Sequence, residues 1–64
     1  MKKKYTLVGV DGNAFAVMGY VKNAMRRSGF SKEEINAYLK RSTSSDYNNL
    51  LAESARIIDD CNNR

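Results

Sequence analysis

A single stretch of this chain, Lys4 to Val10, has the composition of a β-strand, and no second such run follows it. Tyr5, Thr6, Leu7, Val8 and Val10 are the β-branched, aromatic and aliphatic types found in extended backbone. Tyr5 and Leu7 fall on one face of such a strand, and Thr6, Val8 and Val10 on the other. A solitary strand presents a row of unpaired N–H and C=O groups. The expectation is therefore that Tyr5, Thr6, Leu7 and Val8 pair antiparallel with the same residues of a second copy about a two-fold axis. The expected fold class is α+β: one N-terminal strand followed by three short helices, all in a single domain spanning residues 1–64.

Asp11-Gly12-Asn13 breaks the strand, with Gly12 free to take positive φ and Asn13 suited to cap a helix. From Ala14 to about residue 28, Ala14, Val17, Met18, Val21, Ala24 and Met25 recur at helical spacing. Ala14 to Met18 is apolar without interruption, which predicts burial on more than one side. Gly19 in mid-helix costs roughly 1 kcal/mol against alanine and calls for a close neighbouring helix in compensation. Gly29 predicts the C-terminal stop. Ser31 and Glu34 are spaced as a capping box, with Phe30 and Ile35 at the staple positions. That second helix is expected to end near Arg41 or Ser42, with Ile35, Tyr38 and Leu39 inside. A third runs from about Tyr47 to Cys61, with Tyr47, Leu50, Leu51, Ser54, Ile58 and Cys61 on its inner stripe and Asn62 in a loose tail.

Size makes stability a problem. A domain this small buries only about 60% of the surface its unfolded chain exposes, and such folds usually recruit disulfides, a metal or a second subunit. Cys61 is the one cysteine and there is no histidine, so a second subunit is the remedy expected, and no metal or other cofactor is. One unpaired cysteine fits a reducing, cytoplasmic setting. The apolar run after Lys2, Lys3 and Lys4 stops at Asp11, too short for a signal peptide or a membrane span.

Charge is uneven. Residues 1–32 hold Lys2, Lys3, Lys4, Lys22, Arg26, Arg27 and Lys32 against Asp11 alone, whereas acidic residues outnumber basic ones in residues 33–64. The excess permits an acidic or protein partner.

Gly9, Asp11, Gly12, Asn13, Ala14 and Phe15, with Asp46, Tyr47, Leu50 and Leu51 further on, resemble a pattern in short uncharacterised proteins of bacterial and phage genomes. Ser45 stands where that group has a glycine. The resemblance implies a small stand-alone cytoplasmic protein, often from a mobile element, and carries no activity with it.

Catalysis is not expected. A nucleophile needs a nearby base, no histidine is present, and Glu33 and Glu34 are adjacent on a helix and so do not face each other. The leading expectation is a non-catalytic, self-associating binding or accessory protein. One alternative is a dimeric DNA-binding regulator resembling the ribbon-helix-helix family, with Lys2, Lys4 and Thr6 on the ribbon and Arg26 and Arg27 as further anion contacts. Another is an anionic ligand, a nucleotide or phosphate, at the loop Asp11, Gly12 and Asn13, although no phosphate-loop motif is present.

Overall fold

The computed structural model describes residues 5–64. The expected anion contacts Lys2 and Lys4 lie outside the described residues. The described residues form three helices, α1 (Ala14–Arg27), α2 (Lys32–Ser44) and α3 (Tyr47–Asn62). Among the described residues there is no β-strand, so the expected α+β class is corrected to all-α.

The local signals at the helix ends act as their chemistry requires. Asn13 caps α1, its side-chain oxygen accepting from the Phe15 amide at 2.8 Å. At the other end Gly29 has φ +94°, and the Phe30 and Gly29 amides donate back to the Met25 and Arg26 carbonyls at 3.0 and 3.3 Å. That pair of bonds is a Schellman stop, which needs a left-handed residue after the cap. Ser31 and Glu34 make both bonds of the capping box, at 3.1 and 2.9 Å. Asp46 caps α3 by accepting from the Asn49 amide at 2.8 Å. Helix α2 runs past Arg41 to Ser44, and the hydroxyls of Thr43 and Ser44 donate to the Lys40 carbonyl.

The core follows the helical stripes. Val17, Met18, Val21, Ala24 and Met25 of α1 pack with Ile35 and Tyr38 of α2 and Leu50, Ile57, Ile58 and Cys61 of α3. Within it a buried polar pair joins the Tyr38 and Ser54 hydroxyls at 2.6 Å. Helix α3 lies chiefly against α1, while α2 and α3 touch least and leave a groove between them.

Tyr5, Thr6, Leu7 and Val8, expected as a dimer strand, lie in no strand, and several of their backbone groups are bonded within their own molecule. The Tyr5 N–H donates to Asn62 Oδ1 at 2.8 Å and the Tyr5 carbonyl accepts from Asn62 Nδ2 at 2.9 Å. The Thr6 amide donates to the Tyr20 hydroxyl at 2.9 Å. The Val8 amide bonds the Thr6 side chain, and the Val10 amide closes a turn onto the Leu7 carbonyl. Gly9 sits in that turn at φ +87°, a position β-branched residues avoid. The buried Tyr5 ring joins the helical core, and Leu7 and Val10 pack against it. Alternation of faces is lost: Val8 is 86% exposed at the turn.

Two smaller expectations also change. Asn62 is the last residue of α3 and not part of a loose tail. Gly19 has no neighbouring atom within 4 Å of where a Cβ would stand, so no close helix approach compensates it.

Candidate functional site

Apolar residues are buried almost everywhere their helical spacing demands, which gives meaning to the places where they are not. Phe15 is 78% exposed and Tyr47 42% exposed. Both were expected on buried faces. They line one hollow of about 300 Å³ at the end of the bundle where α1 and α3 begin and α2 ends. Ala14, Met18 and Leu50 supply further apolar lining, and Ser42, Thr43 and Ser45 the polar part. No residue of that lining carries a charge.

The caps create this arrangement. Asn13 starts α1 one residue before Ala14, so Phe15 falls in the first turn, where the helix has no preceding turn to shelter it. Asp46 does the same for Tyr47. The Tyr47 hydroxyl is anchored by donating to the Gly12 carbonyl, which ties the start of α3 to the loop ahead of α1.

Ser42 lies beneath this end. It is only 5% exposed, and its hydroxyl has no hydrogen-bond partner among the described residues. A buried hydroxyl left unpaired costs about 1–3 kcal/mol.

The remaining expected site residues are spread over the molecule. Asp11, Gly12 and Asn13 form a loop turned in on itself. Asp11 Oδ1 accepts from the Asn13 amide at 3.2 Å, and Asn13 Oδ1 accepts from the Phe15 amide. Side chains of the loop thus occupy amides that an anion would need, and the geometry lends no support to a phosphate there. Gly12 does not take positive φ. Arg26 and Arg27 are exposed in the last turn of α1, while Thr6 is held by its backbone bond to Tyr20. A ribbon-helix-helix arrangement needs a strand from each chain, and Thr6 lies in no strand.

Cys61 is buried on α3. Among the described residues no group of three or more His, Cys, Asp or Glu side chains is placed to hold a metal ion. No helix among the described residues is long and apolar enough to cross a membrane. Comparison with known proteins finds no matching family model, no similar curated protein and no similar solved structure.

The residues missed by sequence reasoning are Phe15 and Tyr47 as surface groups, together with Ser42. Their signal was available: each aromatic follows an N-cap by one or two residues, where a helix end protrudes.

Proposed function

We propose that this chain is a non-catalytic, self-associating helical binding module of the cytoplasm, with the aromatic end of the bundle as its contact surface. The observation that carries the reading is the exposure of Phe15 beside Tyr47 on a fold whose other large apolar side chains are mostly covered. Aromatic residues are enriched, and charged ones depleted, at the centres of protein interfaces.

A second copy is the partner this surface suits best. The whole molecule carries a net charge of +4, so two copies repel each other across most orientations. The hollow lined by Phe15 and Tyr47 is free of charge. Self-pairing there sets no charged lining residue against a like charge. A two-fold contact also places the same patch on both subunits, so each Phe15 gains cover from one event. Burial of a phenylalanine side chain contributes about 1.5–3 kcal/mol, which matters to a 64-residue fold without a disulfide. The lone thiol fits a reducing compartment.

The test is the concentration dependence of the solution mass for the wild type and Phe15→Ser. The wild type is expected to gain mass with concentration and the variant to stay monomeric with its helices intact. Equal behaviour of the two proteins would remove the aromatic end as the contact surface.

A further inference from the structure

Beside the aromatic end, a groove of about 670 Å³ runs between α2 and α3. Its charged lining consists of Lys40, Arg41, Glu53 and Arg56, with Ser44, Ser45 and Asn49 adding polar groups. Glu53 is bracketed by the two arginines. Arg41 Nε donates to Glu53 Oε1 at 3.2 Å, and an Arg56 terminal nitrogen donates to Glu53 Oε2 at 2.6 Å. A second Arg41 nitrogen also lies 3.2 Å from Oε1.

This arrangement differs from scattered surface charge. One carboxylate draws two guanidinium groups from different helices to the same place. Each guanidinium has five N–H donors in a rigid fork, and the bonds to Glu53 leave donors of both free for another acceptor. Two forks held in place beside a concave space are what recognition of a phosphate or carboxylate requires.

Charge balance selects between those two anions. Lys40, Arg41 and Arg56 against Glu53 leave an excess of two positive charges in the lining. A phosphate monoester carries about −1.5 to −2 at neutral pH and offers three strong acceptor oxygens. A single carboxylate would neutralise only half of that excess. An extended polyanion fits less well, because Glu53 stands among the cations and no aromatic side chain lines the groove for base stacking. The volume is within the range of small-ligand sites.

We propose that the groove between α2 and α3 is a binding site for a phosphate monoester group, gripped by Arg41 and Arg56 with Lys40 beside them. It adjoins the surface proposed for self-association, with Ser45 lining both, but it rests on different side chains, the arginines rather than the aromatics.

The test is an NMR titration of the full chain, labelled with nitrogen-15, using four probes: inorganic phosphate, capped phosphoserine, adenosine monophosphate and capped glutamate. The phosphate-bearing probes are expected to shift the Ser44 and Asn49 amides and the Arg41 and Arg56 side-chain signals saturably, and to bind about ten-fold more tightly than capped glutamate. Arg56→Gln should weaken them about ten-fold, and adding Arg41→Gln should abolish saturation. Both arginines are exposed and outside the core, so the helical spectrum of each variant should match the wild type. Binding should also weaken from about pH 7.5 to about pH 5.5 as the phosphate takes up its second proton, with no such change for capped glutamate. Equal affinity for the phosphate-bearing probes and capped glutamate, shifts centred on Lys22, Arg26 and Arg27, or a double variant that binds like the wild type would each overturn the proposal. If the site stands, the tightest of the three phosphorylated probes identifies its source as the free anion, a modified protein or a nucleotide.

Discussion

The side-chain amide of Asn62 holds both backbone polar groups of Tyr5, accepting from its N–H at 2.8 Å and donating to its carbonyl at 2.9 Å. An asparagine thus does for one residue what a neighbouring strand does for each residue it pairs with. It fastens the N-terminal segment to the far end of the chain and seats the Tyr5 ring in the core. Asn62→Ala removes both bonds and leaves a partly buried carbonyl and amide to find other partners. The expected loss is about 1–2 kcal/mol in urea denaturation, with Asn62→Asp intermediate because it keeps the acceptor and loses the donor. A fully stable alanine variant would show that the strap contributes nothing.

Two glycines should respond in opposite directions. Gly19 lies inside α1 with open space where a Cβ would stand, so Gly19→Ala should stabilise by about 1 kcal/mol. Gly29 has equally open surroundings but φ +94°, so Gly29→Ala should destabilise by about 1 kcal/mol. Thermal melts of the two variants read this directly. The same sign for both would contradict the backbone assignment.

The two buried serines make a second contrast. Ser54 satisfies the Tyr38 hydroxyl at 2.6 Å, so Ser54→Ala strands that group and should cost about 1–3 kcal/mol. Ser42 has no partner among the described residues, so Ser42→Ala should be neutral or stabilising by up to about 1 kcal/mol. Denaturant midpoints distinguish them; a destabilised Ser42→Ala would show that its hydroxyl is paired in solution.

Glu34 links stability to pH. The Ser31 amide, donating to its Oε1 at 2.9 Å, and secondarily the Ser31 side chain hold its carboxyl below the ordinary carboxylate range. A carboxyl lowered in the folded state stabilises at pH above its unfolded value, about 4.3, and that contribution is lost as pH falls through the lowered folded value. Glu34→Gln cannot titrate. The stability difference between wild type and Glu34→Gln should therefore be constant near neutrality and shrink on acidification, as read by denaturation at a series of pH values. A difference that grows towards acid would have the wrong sign.

Much of this fold was legible in the residues themselves. Asn13, Gly29, Ser31 and Glu34 act locally, through bonds spanning a few residues, and the apolar stripes of α1 and α3 follow from spacing alone. The N-terminal segment was misread because its outcome depends on distant groups. Tyr5 to Val10 has strand composition, yet Asn62 and Tyr20 reach it from 57 and 14 residues away, and Gly9 turns it. Tertiary partners override local preference in that way. The ion pairs show the same limit. Glu53 and Arg56 lie three residues apart on one helix, within reach by spacing alone, whereas the Arg41 bond to Glu53 crosses from α2 to α3 and leaves no mark in local spacing. At the aromatic end, the unbroken apolar run placed Phe15 inside and periodicity placed Tyr47 inside, because neither signal tells whether another element extends far enough to cover the residue.

The functional account stands on the uncharged aromatic end as a self-complementary surface, and sedimentation equilibrium of the wild type and Phe15→Ser over a wide concentration range tests it most directly. The account predicts a wild-type mass rising towards that of a dimer and a Phe15→Ser mass that remains monomeric with an unchanged helical spectrum. A wild type that stays monomeric throughout, or a variant that associates equally well, would contradict it.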